Sequence, residues 1–424
     1  SLDYLFQRTK PRQEWAAPQL MKCLMHASHC LMDLRQWNEA LVLFEELLPL
    51  SRQKAGPGHL SERLQDAAFC HRWLEQWDTA LALYQEAIEL CRALGMVSDL
   101  SGALMNAANC LDYLERHHEA HDHYMEALPL FRSYRTPADL ARLLTNMASC
   151  FDDLGLWTEA QPLHDEALAY YRNDQSSPLD RARCFQNSAK ALGEQGHLEA
   201  AMALFDEALA LHRANPTGEI VHCLINSATC LSKLGLRAEA ATRFEEALVL
   251  IGEHSVTPTE LRRCQMGLAN CKKHPEDALP LYEAALANAM ANAQPGEQTA
   301  HLLNSATCLL NLGRMPDALD RYEAALALAR QYRQPATLAR CLINTANCRL
   351  TLGNRGEARN LYTEADAVLA QTGAETDHLR CMLAGSRANE AQTYGDMDRA
   401  WEQISISMDL ADRIASDIKD QLHR

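Results

Sequence analysis

The sequence has little of what marks membrane, disordered or nucleic-acid-binding chains. Positive charge is in deficit: the 424 residues hold 40 Lys and Arg against 56 Asp and Glu, a formal net charge of −16. This balance argues against broad binding to nucleic acid or an anionic membrane. Gly and Pro number only 18 and 15, too few for a linker-rich chain. No apolar run reaches about 18 residues, so we expect no membrane-spanning helix.

Catalytic motifs are absent as well. The sequence contains no Gly-rich phosphate loop, no Gly-x-Ser-x-Gly elbow and no His-Glu-x-x-His pair. The acids, histidines and cysteines fall mostly on repeated positions, whereas catalysis normally needs one asymmetric cluster. We therefore expect a protein that is not an enzyme and that carries no cofactor.

What the sequence does have is an internal repeat of about 40 residues. Cys30, Cys70, Cys110 and Cys150 are spaced at this interval. The string Asn226-Ser-Ala-Thr-Cys230 returns almost unchanged at Asn304–Cys308 and Asn344–Cys348. A period of 20 to 50 residues indicates a solenoid or another repeat array.

Each repeat is predicted to be a helical hairpin. Apolar residues recur at i, i+3, i+4 and i+7 in both halves of the unit, which is the helical period. A Leu-Gly pair such as Leu154-Gly155 separates the halves, and Gly there can adopt the left-handed conformation that ends a helix. Between units, Thr257-Pro258-Thr259-Glu260 has the composition of an N-terminal capping box.

This pattern resembles the tetratricopeptide repeat (TPR), in which a Gly turn joins two helices and Ala and an aromatic residue recur on the second. The 40-residue period is similar to the variant of kinesin light chain and of Pins-type adaptors. The resemblance implies an all-α, right-handed α-solenoid of about ten hairpins. It also implies that the first helices line a concave groove, that the second helices face outward, and that the protein binds a segment of another protein.

The repeat extends over residues 15–424, and we predict a single solenoid preceded by an N-terminal segment at 1–14. The seventh repeat, near 260–290, is irregular. Gly267 replaces the usual Asn, and Cys271 and Ala278 are seven residues apart where the preceding unit has ten. The first helix of this repeat should therefore be shorter by nearly one turn.

The recurring Asn side chains are the first candidate binding residues. An amide offers both a donor and an acceptor, so it can pair with the backbone of a bound peptide. Asn is also disfavoured inside helices, so its repetition needs a reason. The alternative is that each Asn bonds to a neighbouring helix and braces the stack. The set is Asn106, Asn146, Asn187, Asn226, Asn304 and Asn344, called the ladder below.

Arginines lie one helical turn before several ladder positions and are the second set of candidates. Residues four apart share a helix face, so both side chains should point into one groove. A guanidinium suits carboxylates, which favours an acidic ligand. The alternative is pairing with the chain's own acids, such as Asp152, Asp153 or Glu194. The set is Arg142, Arg183, Arg263 and Arg340.

The fifteen cysteines are interpreted as small packing residues. Most occupy two recurring slots on the first helices, where Cys lets helices approach closely. No CxxC pair of the zinc-ribbon kind occurs, so we expect no structural zinc. His117 and His121 are one turn apart and could chelate a metal, but their cluster is more typical of a solvated polar face. Free thiols indicate a reducing compartment, and we expect a cytoplasmic protein.

The function predicted from these features is a non-catalytic scaffold for another protein or peptide, without nucleic acid or membrane among its partners. Two alternatives remain open. The chain could be the sensor arm of a multidomain protease or nucleotide-hydrolysing switch, and a sequence that begins at Ser1 without Met suggests an excised fragment. It could also be a receptor for a small signalling peptide.

Overall fold

The computed structural model describes residues 17–173, 177–215, 219–252, 257–292, 295–332 and 334–422. The predicted N-terminal segment, 1–14, lies outside them. The described residues form twenty α-helices, one short 3₁₀ helix at Ala374–Thr376 and no strand, which confirms the prediction of an all-α chain of about ten hairpins. The helices are α1 (Ala17–Asp33), α2 (Trp37–Lys54), α3 (Pro57–Trp73), α4 (Trp77–Leu94), α5 (Val97–Tyr113), α6 (His117–Tyr134), α7 (Pro137–Asp153), α8 (Trp157–Asn173), α9 (Pro178–Glu194), α10 (Leu198–Ala214), α11 (Glu219–Lys233), α12 (Arg237–Ile251), α13 (Pro258–Cys271), α14 (Pro275–Asn292), α15 (Pro295–Asn311), α16 (Met315–Tyr332), α17 (Pro335–Thr351), α18 (Arg355–Leu369), α19 (Asp377–Thr393) and α20 (Met397–Leu422).

The helices fall into two compact units, residues 1–215 and 216–424. The first unit contains α1 to α10 and the second α11 to α20. Within each unit, the helices of a hairpin pack together, and its second helix packs on the first helix of the next hairpin. Consecutive first helices also touch, as in α5 with α7 and α11 with α13. Each unit is therefore a stack of hairpins held mainly by contacts between neighbours.

The turns inside the hairpins have the predicted left-handed residue. Gly155 has a φ of 73°, and Gly235, Gly313 and Gly353 are also in this region. In the third hairpin Glu115 occupies the same place with a φ of 58°. The backbone requires a positive φ at this point, and Gly meets that requirement without the steric cost that a Cβ adds.

The core alternates small and large side chains on the second helices. Ala240 is fully buried and Phe244 is 1% exposed. In unit 1, Ala120 and Tyr124 occupy the matching positions and are both fully buried. The small residue admits the neighbouring helix and the ring fills the space beside it, which yields the close packing of a protein interior.

The seventh hairpin is short for a packing reason. Its first helix, α13, has 14 residues, whereas α5 and α7 have 17 each. A Cβ on Gly267 would lie 2.2 Å from Phe244 Cζ. The ring of the preceding second helix therefore occupies the place where other repeats have the ladder side chain, and only Gly leaves room for it.

Exposed ion pairs connect successive second helices. An Arg near the end of one helix meets a Glu of the next helix 34 residues later, for example Arg52 with Glu86 at 2.6 Å. Because these pairs are exposed, each contributes at most about 1 kcal/mol. The set is Arg52–Glu86, Arg92–Glu126, Arg132–Glu166 and Arg330–Glu364.

All fifteen cysteines are free thiols, and twelve of them are buried. Burial raises the pKa of the Cys110 and Cys184 thiols to about 11, because a thiolate loses its hydration in an apolar seam. This agrees with a packing role for the cysteines. Among the described residues, no helix combines the length and apolar character needed to cross a membrane.

Candidate functional site

The six ladder residues lie at one register of the first helices and are all half-buried. The side chain two positions further on is fully buried in each case, as at Ala148 after Asn146 and Ala346 after Asn344. The amides therefore stand at the rim of the packed seam, within reach of solvent. We call the surface that they mark in each unit the ladder face.

Three ladder amides bond to a neighbouring first helix. The Nδ2 of Asn146 donates to Asn109 Oδ1 at 3.0 Å. The Oδ1 of Asn226 accepts from Arg263 at 2.8 Å, and that of Asn106 accepts from Arg72 at 3.2 Å. These bonds are of the bracing kind that the sequence left open. Each uses one side of its amide, which has two donors and an acceptor oxygen.

The other three amides are engaged weakly or not at all within the described chain. Asn304 Nδ2 lies 3.5 Å from Met266 Sδ, a weak acceptor. Asn187 and Asn344 make no hydrogen bond to any described residue. Both are half-buried rather than buried, so water satisfies them without a large desolvation cost.

The four arginines have different surroundings. Arg142 pairs with Asp139 at 2.6 Å, and Arg183 lies 3.7 Å from Asp180, each acid one turn earlier on the same helix. Arg263 donates to Asn226. Arg340 is exposed and has no ion pair with any described residue.

The acids suggested as partners of these arginines were the wrong ones. Asp152 is bonded to His164, with Nε2 and Oδ2 2.7 Å apart, and Asp153 accepts from Lys190 at 2.9 Å. The reason is distance along the chain: Asp139 and Asp180 share a helix face with their arginines at i−3, whereas Asp152 and Asp153 point into the next turn region.

A second polar register braces the hairpins, and the sequence analysis did not single it out. The side chain three positions after the ladder bonds to a Tyr of its own second helix, as in Tyr124 Oη to Asn109 Oδ1 at 2.6 Å. Burial raises the pKa of Tyr362 to about 12, so its hydroxyl stays protonated and donates. Its signal is a Tyr 15 residues later, or 12 in the short seventh hairpin; the pairs are Asn109–Tyr124, Asn270–Tyr282, Thr307–Tyr322 and Asn347–Tyr362.

A buried chain of Asp152, His164 and Ser188 was also missed. Ser188 Oγ is 3.0 Å from His164 Nδ1, and all three residues are at most 5% exposed. The chemical order is that of a hydrolase triad, and a cavity of 470 Å³ adjoins His164 and Ser188. Ser188, however, lies in the interior of α9, where backbone amides are bonded to preceding carbonyls. They cannot form an oxyanion hole, so the chain is a packing network.

The histidine cluster separates into different environments. His117 Nδ1 is 2.7 Å from Asp112 Oδ1. His121 stacks on Phe151 with ring centroids 4.7 Å apart, and its Nδ1 faces Asp122. The two rings proposed as a chelating pair therefore have separate partners.

The start of α13 is tied to the ladder face by a buried acid. Thr257 and Glu260 form the predicted capping box. The Glu260 carboxylate also lies 2.9 Å from His222, one turn before Asn226. Burial opposes ionisation, but the bonds from His222 and Thr257 outweigh it and lower the pKa of Glu260 to about 2, from an ordinary value of 4.5.

We expect Glu260→Gln to lower the free energy of unfolding of unit 2 by roughly 1–2 kcal/mol at neutral pH. Because the folded pKa lies below the unfolded one, this contribution is complete above about pH 4.5 and is lost as the pH falls toward 2. Denaturant unfolding followed from pH 7 to pH 2 checks this: the two proteins should converge in acid. A difference that stays constant over this range would contradict the assignment.

These features define a helical-hairpin repeat protein with polar side chains arrayed on its first helices. A tetratricopeptide repeat model matches residues 61–133, 139–214 and 298–369, just over half of the chain. The chain belongs to the tetratricopeptide repeat family, as the sequence pattern indicated. A search of curated proteins finds no match.

Solved structures show the same fold at low identity. The apo form of RapI is 11% identical with a TM-score of 0.60, covering 75% of this chain and 99% of that chain. A Pyrococcus horikoshii STAND protein with a tetratricopeptide repeat sensor, PH0952, is 13% identical with a TM-score of 0.59, covering 85% and 54%. A putative kinesin light chain from Podosopora anserina is 18% identical with a TM-score of 0.42, covering 47% and 98%. At these identities the likeness concerns the fold alone.

Proposed function

We propose that this chain is a non-catalytic scaffold that binds an extended, acidic segment of another protein along the ladder face. The observation that carries the proposal is the state of Arg340 and Asn344 on α17. The first is exposed without an ion pair to any described residue, and the second makes no hydrogen bond to any of them. The side chains lie one turn apart on the same helix face.

The chemistry of this pair suits a peptide. The Asn344 amide can donate to a backbone carbonyl and accept from a backbone N–H, whatever the peptide sequence. Arg340 supplies a forked donor for a carboxylate. In a chain of net charge −16, an unpaired cation on this face is a local attraction for an acidic segment and would steer its approach.

The first unit offers a related but weaker arrangement. Asn187 makes no hydrogen bond to the described residues, while Arg183 lies at the long distance of 3.7 Å from Asp180. Arg142 and Asn146, one repeat earlier, are both engaged at 3.0 Å or less. We therefore place the first unit's peptide contacts at Asn187 and assign Asn146 chiefly to bracing.

The test is a display selection of random 16-residue peptides against the full chain, followed by affinity measurement of the selected peptides. We expect enrichment of acidic sequences. The double variant Arg340→Ala, Asn344→Ala should weaken their binding about tenfold or more, as expected for loss of a charge-assisted bond and an amide pair. Asn347→Ala is the matched control: it lies on the same helix but its amide oxygen is bonded to Tyr362 at 2.6 Å.

Opposite behaviour of the two variants is what separates binding from bracing. The double variant should lose affinity while its thermal midpoint changes little, because it breaks no bond within the described chain. Asn347→Ala should lower the midpoint. Peptides that bind the double variant as tightly as the unmodified protein would overturn the proposal.

A second candidate is a sensor arm that responds to a short signalling peptide, the use that the name of the PH0952 repeat region suggests for that protein. The groove residues would be the same, and the length of the ligand distinguishes the two. Truncating a selected peptide stepwise decides between them: full affinity retained at about ten residues favours the receptor, and a steady decline favours the scaffold.

A further inference from the structure

Three potential metal ligands of different chemistry meet at the turn of the third hairpin. Asp112 lies in the last turn of α5, His117 begins α6, and Cys150 comes from α7 of the next hairpin. One oxygen, one nitrogen and one sulfur atom from these side chains all lie within 4.8 Å of one another. The closest pair, His117 Nδ1 and Asp112 Oδ1, is 2.7 Å apart.

Cys150 occupies the recurrent slot whose sulfur faces the preceding turn, and other repeats show what it meets there. Cys308 Sγ is 3.3 Å from the Pro275 carbonyl, and Cys348 Sγ is 3.4 Å from Met315 Sδ. Neither of these turns supplies a carboxylate and an imidazole. Within the part of the chain that the structure describes, this is the one place where three such donors converge.

The accessibility of the donors also suits a bound cation. The side chains of Asp112 and His117 are 24% and 26% exposed, whereas Cys150 is fully buried. A cation could enter from the solvent side, displace the shared proton and keep a water as its fourth ligand. One sulfur, one nitrogen and one oxygen donor form a set that zinc accepts, and its tetrahedral geometry requires no other protein ligand when water is present.

We propose that Asp112, His117 and Cys150 form a zinc site that locks the third hairpin to the fourth. The site differs from the His117–His121 pair considered from the sequence, because His121 is stacked on Phe151 and takes no part. It is independent of peptide binding: its residues lie at the turn of the hairpins and not on the ladder face.

The test is titration of the full chain with Co²⁺, which adopts zinc geometry and has visible d–d bands and a thiolate charge-transfer band. We expect both bands to saturate at one equivalent and to be displaced by Zn²⁺. Cys150→Ser should abolish the charge-transfer band, and Asp112→Asn should weaken Co²⁺ binding about tenfold or more, as loss of a ligand requires. Far-ultraviolet circular dichroism of each variant reports its fold.

Cys110→Ser is the matched control. Cys110 is a buried thiol in the same slot one repeat earlier, where the residues corresponding to Asp112 and His117 are Arg72 and Trp77. This variant should bind Co²⁺ with an unchanged spectrum. The proposal is overturned if Cys150→Ser and the unmodified protein have the same spectrum, or if Cys110→Ser removes the band equally.

Discussion

Replacing Glu390 with Ala is expected to lower the free energy of unfolding of the last two hairpins by about 3–4 kcal/mol. Glu390 on α19 is fully buried and accepts from Arg355 and Arg359 of α18, at 2.5 and 2.8 Å. Burial opposes its ionisation, but the two hydrogen bonds outweigh it and keep the pKa of Glu390 below its ordinary value. Removing the carboxylate leaves two guanidinium groups together without their counter-ion.

The effect should be local, because a repeat contacts only its neighbours. Hydrogen exchange should accelerate in α19 and α20 and stay unchanged in unit 1. Glu364→Ala is the matched control: it removes an acid from an exposed pair with Arg330, 41% exposed at the Glu, and should cost less than about 1 kcal/mol. Equal effects of the two substitutions would show that burial of the Glu390 cluster contributes nothing.

Gly267→Ala is the second large effect that we expect, a loss of about 2–3 kcal/mol. In most helix interiors this change would stabilise by up to about 1 kcal/mol, since Ala has the higher helix propensity. Here the new Cβ would lie 2.2 Å from Phe244 Cζ. The ring is 1% exposed, so it cannot move aside without disturbing its neighbours.

Gly385→Ala provides the opposite case within the same chain. Gly385 also lies inside a helix, but no atom outside its own helix turn is within 4 Å of where its Cβ would stand. We expect this variant to be as stable as the unmodified protein or more stable. Thermal unfolding of both variants is the measurement, and a stabilising Gly267→Ala would contradict the close contact with Phe244.

The hairpins could be predicted from the sequence because their determinants are local. Helical periodicity, the Leu-Gly turn and the Thr257 to Glu260 capping box each act within a few residues, and repetition of the unit multiplied the signal. The shortening of α13 was visible for the same reason, since a change in spacing between Cys271 and Ala278 must be absorbed by one helix or its turn.

The roles of the ladder residues could not be predicted in the same way. Asn146 and Asn344 have the same register and almost the same local sequence, yet one is bonded to Asn109 and the other to no described residue. The partner lies 37 residues away on another helix, and small differences in how first helices approach decide whether the amides meet. The same applies to Arg142 and Arg340, of which only the first has an acid one turn earlier.

The sequence by itself therefore determined the class of fold, the number of hairpins and the register of the polar residues, because helix formation and the repeat interval are written in neighbouring side chains. Only the tertiary structure decided which polar groups are already bonded, why Gly stands at 267, and that Asp112, His117 and Cys150 meet. These are relations between helices, and they depend on interhelical distances of a few ångströms that no local pattern encodes.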